Sequence, residues 1–218
     1  MNENSSKQVL LSVIGIAVLV VAVVGVSFAF FTYSKTGTAN NTLTTGSIFF
    51  NFTEGNTINL TNQFPMADSE GENLSVDSNK ALSFSVIGYD TSGKGIDYTV
   101  YALPGAPVDT RNRFKDDEIK LNLQTLATGT GYSNDFSTSK LVGNLPSAGL
   151  KLATGRISAT ESDAQQTDTY TLRMWIDGAV TIGDAESDNY TSAEFANLYY
   201  SLTVKVVAAT TGTTQPTA

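Results

Sequence analysis

The chain of 218 residues contains neither cysteine nor histidine. That excludes disulfide stapling, thiolate-ligated zinc, cysteine nucleophiles and every mechanism built on an imidazole base. It leaves the compartment open, because exported bacterial chains often lack cysteine as well. Basic residues are also few, 13 against 21 acidic ones, for a formal net charge of -8. A negative surface argues against nucleic acid, whose phosphates need Lys and Arg, and against docking on anionic lipid. Residues 1–29 hold only Glu3 and Lys7, so this balance survives their removal. There is no GxSxG elbow, no HExxH and no glycine-rich phosphate loop opening a helix. The acidic run Asp116, Asp117, Glu118 has no obvious partner acid for glycosidase chemistry. The expectation is a protein that is not an enzyme and needs no cofactor.

What is present begins with a long apolar run. Residues 9–31 carry no charge, and only Ser12, Gly15, Gly25 and Ser27 interrupt the large side chains. As a helix this run would span roughly 34 Å, enough to cross a bilayer core. A secretory leader fits too: one cation (Lys7) precedes the apolar core, and Ser27-Phe28-Ala29 sets small residues at -3 and -1 of a cut after Ala29. Composition leaves both readings open, a cleaved signal peptide (residues 1–29) or a retained hydrophobic helix.

Beyond the leader the period changes to two. Ile48, Phe50 and Phe52 alternate with Phe49 and Asn51, and Leu82, Phe84 and Val86 alternate with Ser83 and Ser85. The same alternation recurs at Ile96/Tyr98/Val100, Ile119/Leu121/Leu123, Tyr170/Leu172/Met174/Ile176 and Tyr200/Leu202/Val204/Val206. Such spacing is that of half-buried strands. Residues 90–95, "DTSGKG", read as a hairpin loop between two of them. Residues 116–118 could start a single turn before their strand. No mature segment keeps a helical period over three turns. Long connections at residues 66–80 and 158–168 favour crossings between sheets. The expected fold is all-β, a jelly-roll-like, Greek-key β-sandwich over residues 47–209, with residues 30–46 as an N-terminal strand and linker and residues 210–218 as a flexible tail.

Two features invite a binding function. Asp177, Asp184, Glu186 and Asp188 give one loop enough oxygens for calcium, although the EF-hand spacing is missing. The alternative is a solvated acidic loop. Trp175 and the run "LYYSL" offer aromatic surface for a sugar or a partner, or else cross-strand packing.

The N-terminal stretch "GVSFAFFTYSKTGTANNTLTTGSIFFNF" resembles the start of the TasA/camelysin family of bacterial biofilm-matrix proteins. The match covers roughly residues 10–53: Ser27-Phe28-Ala29, then Phe30, Phe31 and Tyr33, then Asn40-Asn41-Thr42, then Thr45-Gly46-Ser47-Ile48. The resemblance implies recognition of Ser27 and Ala29 by a SipW-type signal peptidase. It further implies a secreted subunit that homopolymerises at the cell surface by donor-strand complementation, with an accessory protein as possible nucleator. Phe30, Phe31 and Tyr33 would then lie on the donated strand, against the alternative that this strand pairs in cis. The metalloprotease activity described for some camelysin-type members is not carried over, because this chain has no histidine.

Overall fold

A computed structural model describes residues 14, 16–17, 32–36, 41–45, 48–53, 57–107, 111–126, 132–183 and 185–210. Among the described residues, besides helical residues 14, 16 and 17, the strands and short helices follow in order: β1 (Thr32–Thr36), β2 (Asn41–Thr45), β3 (Ile48–Thr53), β4 (Ile58–Thr61), α1 (Asp68–Gly71), β5 (Ala81–Asp90), β6 (Ile96–Pro104), β7 (Asn112–Arg113), β8 (Ile119–Leu126), β9 (Ser133–Asn134), β10 (Lys140–Leu141), β11 (Leu150–Ile157), β12 (Gln166–Ile176), α2 (Ser192–Ala196) and β13 (Leu198–Thr210). They form two packed sheets. Sheet A runs β1-β13-β6-β11-β9, with β4 and β7 also on β13, and sheet B runs β10-β8-β12-β5-β3-β2. All pairs are antiparallel except β13 with β7.

From β3 onward nearly every connection changes sheet. This is the jelly-roll-like sandwich that the period-two segments and long loops imply. Alternation decides which face is buried. Phe50 and Phe52 of β3, Phe84 and Val86 of β5, Leu121 and Leu123 of β8, and Tyr170, Leu172 and Met174 of β12 meet Tyr98, Val100, Leu152, Tyr200 and Leu202 of sheet A in one core. Each fully buried large side chain contributes about 1.5–3 kcal/mol relative to exposure. The acidic run before β8 is a 3₁₀ turn at Asp116–Glu118, the single turn its sequence allows.

The reading of residues 90–95 as a hairpin is overturned. β5 belongs to sheet B and β6 to sheet A, and the two do not pair. The cause lies in Asp90, fully buried, whose carboxylate accepts from the N–H groups of Ser92 and Gly95, both at 2.8 Å. Gly93 and Gly95 take φ of +72° and +79°, conformations open to glycine. The chain therefore arches over the edge of the sandwich instead of doubling back.

Sheet B carries a second layer on its outer face. Trp175 points away from the core yet is fully buried, because α1 lies across it. A Cβ on Gly71 would fall 2.2 Å from the indole, so only glycine allows this approach. Lys120 ties α1 down, with Nζ 2.8 Å from Asp68 Oδ1 and 3.2 Å from Asp177 Oδ1. Among the described residues, no helix is long and apolar enough to cross a membrane.

Candidate functional site

The element that the sequence marks for assembly sits on an open edge. β1 pairs antiparallel with the C-terminal half of β13, in register from Thr32↔Ala209 to Thr36↔Lys205. β4 pairs with the N-terminal half, from Tyr199↔Thr61 to Leu202↔Ile58. The two short strands thus lie end to end along one side of β13, while β6 takes its other side. Val206 and Ala208, whose register partners are Lys35 and Tyr33, belong to the core. Without β1, the backbone of residues 205–209 would present an unpaired edge beside a finished one.

Among the described residues, β2 is terminal in sheet B and pairs with β3 alone, from Asn41↔Phe52 to Thr45↔Ile48. Among the described residues, the N-terminal segment thus supplies the terminal strand of each sheet on this side, β1 beside β4 in sheet A and β2 in sheet B.

The opposite edges are closed by local devices. Along β11, Asp135 N–H donates to Leu152 O at 3.0 Å, and the Gln166 side chain copies a strand. Its Nε2 donates to Arg156 O and its Oε1 accepts from Ser158 N–H, both at 2.8 Å. Along β8, Val142 N–H donates to Ile119 O and Leu123 N–H to Phe136 O, each at 2.8 Å, and Asn134 Nδ2 donates to Leu123 O at 2.6 Å. Satisfied edge groups offer no template to another chain.

Polar groups inside the sandwich are engaged structurally. The Tyr98 hydroxyl lies 2.5 Å from Asp168 Oδ2 and 2.6 Å from the Tyr170 hydroxyl, and Gln166 Nε2 donates to the same carboxylate oxygen at 2.9 Å. Burial, with the neighbouring Tyr170 and Asp168, pushes the Tyr98 phenol far above its ordinary value. At one end of the barrel-like rim, Tyr200 donates to Asp116 and Tyr190 to Glu118, while the Arg113 guanidinium lies 4.3 Å over the Tyr200 ring. Burial again leads in raising both phenols. These groups lock elements together.

The residues singled out by sequence fall as follows. Ser27, Ala29, Phe30 and Phe31 lie outside the described residues, as does Asp184. Tyr33 lies in β1, in register with Ala208. Asp177 is engaged by Lys120, Asp188 Oδ2 accepts from Ala185 N–H at 3.0 Å, and Glu186 is exposed. Among the described residues no cluster of acidic side chains is arranged to hold a metal ion. Trp175 and Tyr200 are fully buried, so packing is the role the structure gives them. Sequence reasoning missed β2, which it placed within an N-terminal strand and linker, β4, β11, the two-residue β7, β9 and β10, and the edge-closing Gln166 and Asn134. β4 alternates over only four residues, and side-chain closure of an edge leaves no periodic trace.

No family model, curated protein or solved structure matches the chain.

Proposed function

We propose that the protein is an exported, non-catalytic subunit of an extracellular fibre or biofilm matrix, assembling by donation of its N-terminal strand. The observation that carries this reading is the seat of β1. It forms a detachable half of one edge of β13, beside the fixed half supplied by β4. Only residues 37–40 join it to β2. Exchange of such an element between copies preserves every backbone hydrogen bond and needs no new surface, which is why strand swapping is a low-cost route to assembly. The resemblance of residues 10–53 to the start of TasA/camelysin proteins supports the same reading, and so does the small-aromatic-small site ending at Ala29.

The test has two parts. N-terminal sequencing of protein recovered from cells is expected to begin at Phe30; an intact Met1 would favour a membrane-tethered or pilin-like protein. Deletion of residues 30–34 is expected to abolish filaments seen by negative stain while the monomer stays folded. Unchanged filaments would sink the strand-donation mechanism.

A further inference from the structure

Among the described residues six strands pair with a single neighbour: β1, β4, β7 and β9 in sheet A, β2 and β10 in sheet B. β7 is two residues long, and on β4 Asn59 N–H donates to Asn79 O at 3.2 Å. β9 and β10 are two residues long, and the backbone beside them is consumed by the bonds described above. β1 carries Lys35 at its fourth position, a charge of the kind that discourages pairing with another chain. β2, "NTLTT", is different: five residues, terminal in its sheet, without a charge or a proline. The neutral stretch around it is long. No Lys, Arg, Asp, Glu or Pro occurs between Lys35 and Glu54.

Of the charge-free runs in the chain, only residues 8–34 are longer. Two copies each carrying a net charge of -8 repel when their surfaces approach within the screening length, about 10 Å at 0.1 M salt. An uncharged, unprotected edge is where such copies can meet without opposing charge. The strand is also well made for pairing. Thr42, Thr44 and Thr45 are β-branched, and facing threonines contribute favourably across a ladder.

We infer that β2 is a self-association edge, pairing antiparallel with β2 of a second copy across a two-fold axis so that two B sheets become one. With the axis at Leu43, the middle residue, Leu43 stands opposite its own copy, Thr42 opposite Thr44 and Asn41 opposite Thr45. The contact stands on edge chemistry alone. Its role, lateral joining of filaments into a matrix, rests on the fibre reading above.

The chain has no cysteine, so single introduced thiols report contact without background. The protein recovered from cells would carry Thr42→Cys, Leu43→Cys or Thr44→Cys, with Ser133→Cys on the closed side as control. Mild oxidation is expected to give covalent dimers from Leu43→Cys, and from Thr42→Cys mixed with Thr44→Cys, where the thiols face each other, and none above background from the control. Thr44→Lys added to Leu43→Cys should lower the dimer yield about tenfold, since like charges close together across a pair are destabilising. Thermal melting of each variant separates loss of contact from loss of fold. A Leu43→Cys variant that cross-links no better than Ser133→Cys, while melting as the parent does, overturns the inference. Deletion of residues 30–34 distinguishes it from strand donation. Filaments lost with the Leu43→Cys dimer retained keeps both; a dimer that disappears with that deletion places the contact within strand donation and overturns a separate β2 edge.

Discussion

Tyr98 of sheet A donates its hydroxyl to Asp168 of sheet B at 2.5 Å, a buried bond between the two layers of the sandwich. Asp168 is 1% exposed, so its carboxylate depends on protein donors. Tyr98→Phe keeps the ring and removes the donor. It should lower stability by about 2 kcal/mol, the size of a lost hydrogen bond to a buried charged group. Urea unfolding of the variant measures it; an unchanged midpoint would mean the bond contributes nothing net.

The tyrosine network also fixes the alkaline limit. Burial, helped by neighbouring acidic and phenolic groups, raises the phenols of Tyr98, Tyr170, Tyr190 and Tyr200 in the folded protein. A raised folded-state value means stability fully present below the unfolded phenol's value of about 10 and lost as pH climbs above it. Phenolate absorbance from these residues is therefore expected to appear together with loss of near-ultraviolet circular dichroism, in one cooperative step. A smooth titration of all tyrosines with the fold intact would contradict it.

The acid limit has a different origin. Burial works against ionisation of Asp116, but hydrogen bonds from the Tyr200 hydroxyl, the Leu145 N–H and the Arg113 guanidinium outweigh it and hold the carboxyl below its ordinary value. This contribution is present above the unfolded value of about 3.9 and lost as pH falls through the folded one. Asp116→Asn should flatten the drop in melting temperature below about pH 4. Identical acid limbs for variant and parent would assign that drop to other carboxylates.

Trp175 is the single tryptophan of the chain, so its fluorescence reports one site. Gly71→Ala forces a methyl into the indole ring and should cost about 1–3 kcal/mol, as overpacking of a tight contact does. As α1 lifts, emission should shift to the red. A blue, unshifted spectrum in a fully stable variant would show that α1 does not cover the ring in solution.

Strand identity was legible wherever alternation ran long enough. Ile119, Leu121 and Leu123 against Lys120, Asn122 and Gln124 announced β8, and the core accepted the apolar three. Sheet membership was not legible. "DTSGKG" has the residues of a hairpin and also those of an arch, and the choice rests on where the buried Asp90 carboxylate turns the chain. The outward position of Trp175 was correct in period but silent about α1, four residues long and distant in sequence. Of the candidate site, Tyr33 was singled out by the resemblance and by period, and the structure places it in β1. The seat on β13 could not be, because pairing of residue 33 with residue 208 leaves no mark in either local sequence.

The position of β13 has a consequence for how the chain is made. The last strand described is also an interior strand of its sheet, flanked by β6 on one side and by β1 and β4 on the other. During synthesis, those partners wait for a segment that emerges after all of them. Most pairings in the sandwich are likewise distant in sequence, so the loop-closure entropy comes due before the contacts that repay it. Until β13 has emerged, the growing chain lacks the middle of sheet A, and β1, β4 and β6 have no strand between them to pair with.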